Sequence, residues 1–139
     1  MTLDQATEFI LARWTAQWIV GSAERTPFVF ENEDDEDLDN GSVSWASVIV
    51  VETGGGQETL GGAGSRKFRR KAMVSIEIRT PKDSGSSEAS TLAHAARTIY
   101  EATSFDGLDF NNARVVPLGK GEKWTRHVVE ADFEFTEEK

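Results

Sequence analysis

Residues 67–80, KFRRKAMVSIEIRT, alternate apolar and polar side chains with a period of two. Phe68, Ala72, Val74, Ile76 and Ile78 fall on one side, and Arg69, Lys71, Ser75, Glu77 and Arg79 on the other. Extended backbone turns successive side chains to opposite faces. The segment therefore predicts a long strand in a sheet with one dry face and one wet face. Such a sheet needs a cover, and two helical patterns supply it. Leu3, Ala6, Ile10, Leu11, Trp14 and Trp18 recur at three- and four-residue spacings, which predicts a helix over 3–19. Thr2 is placed to cap it, Asp4 suits its first turn, and Gly21 ends it. Ala89, Leu92, Ala93, Ala96, Ile99 and Tyr100 mark a second helix over about 87–103, with Ser86 as N-cap and Glu88 in the first turn.

Other strands follow from composition and turns. Pro27 opens a short one at 28–31. Residues 43–52, VSWASVIVVE, are rich in Val, Ile and Trp, with Val43, Trp45, Ile49 and Val51 on one side and Ala46, Val48 and Val50 on the other. Asn40-Gly41 and Phe105-Asp106-Gly107 are turn signals, PKDSGS (81–86) breaks a strand, and GKGEK (119–123) joins strands at 113–118 and 124–136. In the last strand Val129, Ala131, Phe133 and Phe135 face a core, while Glu130, Asp132 and Glu134 face water. Trp14, Trp18 and Trp45 suit the core, and Trp124 its edge. The order predicts one α+β domain over 1–139. It is a mostly antiparallel sheet of four to five strands packed against two amphipathic helices, with 43–52 and 67–80 forming a long β-hairpin and loop extension.

Charge is segregated. The tract 31–39 holds seven acids, including Glu33, Asp34, Asp35, Glu36 and Asp37, out of a formal net charge of −9. Residues 31–41 read as a solvated acidic loop. Residues 53–66 read as a flexible loop carrying Gly54, Gly55, Gly56, Gly61, Gly62 and Gly64. It runs into five cations, Arg66, Lys67, Arg69, Arg70 and Lys71, around Phe68. The loop is no phosphate cradle: Gly62 stands where GxxxxGK[ST] needs lysine, and the run leads into a strand rather than a helix. The acidic tract breaks the EF-hand pattern, with Asn40 at the sixth position and Ala46 at the twelfth when counted from Asp35. His94 and His127 have no nucleophile at a motif spacing. The chain has no cysteine, which removes disulfides and thiolate chemistry and suits a reducing cytoplasm. It has no apolar run long enough to span a membrane. No catalytic residue, metal ligand or cofactor site is expected.

The order of features resembles the tail terminator proteins, also called tail completion proteins, of long-tailed bacteriophages and prophages. The resemblance runs from the N-terminal helix through FVFEN, SVSWASVIVVE, the glycine-rich loop, RKFRRKAMVSIEI and TPKDSGSSEASTLAHAARTIYEA to FNNARVVPLGKGEKWTRHVVEADFEF. It implies a ring, usually of six copies, that caps the head-proximal end of the tail tube, stops its polymerisation and meets the head connector. The implied partners are copies of itself, the tail tube protein and the connector protein, with DNA only in passage. The implied location is the virion, after assembly in the host cytoplasm. Another neck or connector protein, or a nucleic-acid-binding module using 66–71, is the alternative. Under the ring reading the basic residues 66–71 and the acids 33–37 are expected to be subunit or tube contacts, since a ring joins two different patches.

Overall fold

A computed structural model describes residues 1–20, 26–31, 43–57, 59, 62, 66–82, 86–121 and 124–138. The order is α1 (Leu3–Val20), β1 (Phe28–Phe30), β2 (Trp45–Gln57), β3 (Lys67–Pro81), α2 (Ser86–Tyr100), β4 (Ser104–Phe105), β5 (Leu108–Lys120) and β6 (Trp124–Glu138). The strands form one sheet in the order β1-β2-β3-β6-β5-β4, curled into a half-barrel. Among the described residues only β1 and β2 run parallel, and every other pair is antiparallel. The sheet has six strands rather than four to five. The sixth, β4, comprises two residues on the turn at Asp106-Gly107, where both residues take positive φ, as a tight hairpin twist requires.

At the centre lie β3 and β6, paired without a register break from Lys67↔Glu138 to Pro81↔Trp124. Alternation sends Ala72, Val74, Ile76 and Ile78 of β3, and Val129, Ala131, Phe133 and Phe135 of β6, to one face, where all are buried. Both helices cover that face. Ala6, Ile10, Trp14 and Trp18 of α1 and Ala89, Leu92, Ala93, Ala96, Ile99 and Tyr100 of α2 complete the core, on the stripes that helical spacing defines.

Capping and cross-links fix the cover. The Gln5 N–H donates to Thr2 Oγ1 (3.2 Å), and the Thr2 N–H donates to Gln5 Oε1 (2.8 Å), a reciprocal capping box at the start of α1. Trp14 stacks on Trp18 with ring centroids 4.4 Å apart, and Trp18 Nε1 donates to the Thr26 carbonyl at 3.0 Å. Tyr100 Oη donates to the Ile10 carbonyl at 2.8 Å, and burial pushes its phenol pKa upward. Arg13 Nε donates to the Ile99 carbonyl at 2.9 Å, and its guanidinium lies over Phe105 at 4.4 Å. It thus neutralises the carbonyl-rich end of α2.

The tryptophans divide. Trp14 and Trp18 belong to the main core. Trp45 does not join them: it lies on the opposite face with Val29 and Trp124, edge-on to Trp124 at 6.3 Å and beneath the Arg79 guanidinium at 4.8 Å. Trp45 and Trp124 are both buried, so Trp124 is no edge residue. The predicted hairpin is present but is no projection, because β3 is flanked by β6 along its whole length. Gly21, Asn40-Gly41 and the acidic loop beyond Glu31 lie outside the described residues, as do the side chain of Ser86 and part of the 119–123 turn.

Trp14→Ala is expected to remove the stacked pair and leave a void under α1. The expected cost is about 3–5 kcal/mol, read as a lower midpoint in urea unfolding followed by circular dichroism. A loss below about 1 kcal/mol would place Trp14 outside the core.

Candidate partner interface

The hairpin β2–β3 carries both features singled out from sequence, the glycines and the cations. Alternation divides the cations as expected: Arg69 and Lys71 lie on the helix-free face, and Arg70 lies on the helix side beside Phe68. The acids that meet them come from this same chain. Arg69 Nη2 lies 2.8 Å from Asp109 Oδ2 on β5 and 3.4 Å from Glu134 Oε2 on β6, and its Nη1 donates to Thr136 Oγ1 at 3.3 Å. Lys71 stands directly opposite Glu134, at 3.9 Å. Arg70 Nε donates to Glu137 Oε1 at 2.9 Å, and its guanidinium caps the Phe68 ring at 4.8 Å. Arg66 is half-buried and Lys67 exposed.

Three acids missed as partners in the sequence therefore hold the basic cluster: Asp109, Glu134 and Glu137. A signal was present. Glu130, Asp132 and Glu134 repeat at every second residue of β6, in the same period as Arg69 and Lys71 on β3. Cross-strand neighbours of opposite charge are the expected result once the two strands pair. The ladder continues along the helix-free face. Arg114 bridges Glu130 (3.3 Å) and Asp132 (3.1 Å), and Arg79 and Arg126 share Glu77 at 3.3 and 3.4 Å. Each exposed pair contributes little alone. Together they leave that face close to charge-balanced. Glu33, Asp34, Asp35, Glu36 and Asp37 lie outside the described residues.

The glycine-rich loop is shorter than predicted. Gly54, Gly55 and Gly56 are part of β2, opposite Lys71, Arg70 and Arg69, after a register shift between Glu52 and Gly54. Backbone pairing to β3 extends the strand five residues past the apolar run that marked it in sequence. Gly55 has φ +132°, and a side chain there would run into the Arg69 carbonyl. Gly54 and Gly56 have open space where a Cβ would stand. Past the strand, Thr59 closes the tip: its hydroxyl accepts from the Lys67 N–H at 2.9 Å, and its carbonyl accepts from the Gln57 side chain. Gly62 is exposed, and Gly61 and Gly64 lie outside the described residues.

Other chemistry-bearing residues do not converge. His94 is exposed on α2 beside Arg97, and His127 is half-buried on β6. Among the described residues, no three His, Cys, Asp or Glu side chains gather as a metal site, and no helix is long and apolar enough to cross a membrane.

No family model matches the chain, and no curated protein is similar to it. Nine chains of known structure do match. One of them, which carries no functional description, aligns over 97% of this chain and 96% of its own, with a TM-score of 0.69 at 12% identity. That likeness shows the fold, a two-layer α+β arrangement, and nothing further.

Two outcomes follow for this site. Gly55→Ala is expected to destabilise the protein by about 1–3 kcal/mol through backbone strain, while Gly54→Ala and Gly56→Ala leave the unfolding midpoint within experimental scatter. Equal effects at all three positions would refute this reading of the strand. The hydrogen bond from Arg69, and then that from Ser104, hold the Asp109 carboxyl below the usual carboxylate range. A lowered folded-state pKa adds stability above the unfolded value, near pH 4, and loses it as pH falls through the folded value. Wild type and Asp109→Asn are thus expected to differ slightly in urea midpoint at pH 7 and to converge below about pH 4. A difference independent of pH would mean that the Asp109 charge does not matter.

Proposed function

We propose that this chain is a structural subunit of a phage tail, a tail terminator that assembles as a ring on the head-proximal end of the tail tube. It stops tube growth, offers a surface to the head connector and performs no chemistry. One observation carries the reading beyond the resemblance in sequence order. Three of the five large apolar side chains that are exposed among the described residues, Val51, Val116 and Leu118, sit on β2 and β5. These are the long strands at opposite margins of the sheet. A ring subunit needs two different adhesive surfaces, one for each neighbour, and each of these margins offers exposed apolar area.

The same geometry weighs against a nucleic-acid module built on 66–71. Cations engaged with Asp109, Glu134 and Glu137 release few counterions on meeting phosphate. It also changes how the basic cluster is to be tested. Reversing charge at Arg69 or Arg70 breaks pairs inside the subunit, so it does not isolate a partner contact.

The test is light scattering over a concentration series with electron microscopy of the concentrated protein and of purified tube ends, together with deletion of the gene. Rings and overlong tail shafts are the expected results. Shafts of normal length after deletion would overturn the proposal, as would tight DNA binding by the isolated protein at about 0.15 M salt.

A further inference from the structure

Both margins of the sheet are left half-paired. On one side β1 covers only Ala46, Ser47 and Val48 of β2, and among the described residues no strand pairs with the outer edge of 49–57. On the other side β4 covers only Leu108 and Asp109 of β5, and the outer edge of 111–120 is likewise unpaired among the described residues. Open edges present unmade backbone hydrogen bonds, and monomeric proteins blunt them with lysine, proline or short strands; β5 carries Pro117 and Lys120 along its open stretch, whereas β2 has neither along 49–57. Here the edge of β2 carries Val51, then Gly54 and Gly56, where a Cβ would stand in open space. Glycine at such positions marks where another backbone comes close.

We infer that the open edge of β2 takes the open edge of β5 from a second copy of this chain, antiparallel and head to tail. This rests on the ring reading above. Four features select this occupant. First, direction fits: β2, β3, β6 and β5 alternate, so a neighbour's β5 continues the alternation beside β2 without inverting the subunit. Second, centring one open stretch on the other brings Leu118 and Val116 beside Val51 and Ile49 on the helix-free face. Third, a cleft of about 300 Å³ lies against this edge on the helix side, lined by Leu3, Leu11, Phe30 and Val50. It meets the edge at Val48 to Val50, where this pairing sets the end of the neighbour's β5, Pro117 to Lys120, while Val115 falls beside Thr53. Backbone pairing plus pockets for alternate side chains is how strand addition gains affinity and specificity. Fourth, the same cleft carries Asp4 and Glu31, and the pairing delivers exposed Lys120 to that end, which fixes orientation.

The pairing also sets the stagger between neighbouring subunits. Through the register, Val115 is level with Val48, whereas the open part of β2 is centred on Thr53. Joining the two offsets neighbouring subunits by about five residues, or about 17 Å, across four strands spanning about 19 Å. That inclines the strands by about 40°, within the range of closed barrels, about 35–45°.

The chain has no cysteine, so the contact can be read by crosslinking. In concentrated protein the double variant Val51→Cys/Leu118→Cys, treated with a short bis-maleimide, is expected to give a covalent ladder beyond the dimer. Each single variant is expected to run as an uncrosslinked single chain on a denaturing gel. Dimers from Val51→Cys alone would mean that β2 edges pair with each other, and would overturn the proposal. Rings seen by microscopy without a ladder would overturn this pairing and leave the ring reading standing. Neither rings nor ladder, on tube ends as well as in solution, would overturn both. Val116→Lys/Leu118→Lys, at exposed positions, is expected to abolish rings with an unchanged unfolding midpoint. Intact rings in that variant would also overturn the edge pairing.

Discussion

The pairing of β3 with β6 is the constraint on which the rest of this molecule depends. These are the longest strands, and they meet in unbroken register although a helix and two strands separate them in the chain. That register does two things at once. It brings Val74 and Ile76 level with Ala131 and Val129 under the helices, and it sets Lys71 opposite Glu134 on the other face. A slip of one residue would exchange the faces and put charge into the core. The hydrophobic pattern and the charge pattern therefore specify the same alignment, which is the mutual consistency expected of a sequence with one native state.

Around that pair the sheet grows outward and loses cover. Among the described residues, β2 and β5 each have one fully used edge and one edge used only at its start. The helices conceal the apolar side of the centre, while the margins keep Val51, Val116 and Leu118 in solvent. Charge is distributed the other way. The arginines of the helix-free face have acidic neighbours within the chain, so electrostatics there holds the subunit together. In the proposed ring, adhesion to a neighbour would rest on backbone and apolar side chains at the rims.

Much of the fold was legible because it follows from local periodicity. The apolar stripes of both helices, the alternation of β3 and the inward set Val129, Ala131, Phe133 and Phe135 are all where the sequence puts them. The misread parts are non-local. Gly54 to Gln57 have no propensity for a strand, and they are extended because β3 lies beside them. Trp45 looked like any core tryptophan. Its partners, Val29 and Trp124, come from the start of the sheet and from its last strand, and no local pattern joins them. The cluster 66–71 stood out as a patch, but a patch is defined by what lies across from it, and Asp109, Glu134 and Glu137 lie dozens of residues away.

By itself, then, the sequence determined which residues turn inward and which turn outward on each element, because side-chain direction is fixed by backbone period and the hydrophobic effect acts residue by residue. It also determined the class of the fold, since two amphipathic helices and an alternating sheet have few ways to bury their dry faces. Only the tertiary structure decided strand order, which cations are neutralised, how far β2 extends and which edges remain open. Those depend on contacts between segments far apart in the chain, where pairing is set by the packing of the whole sheet rather than by the preference of any one strand.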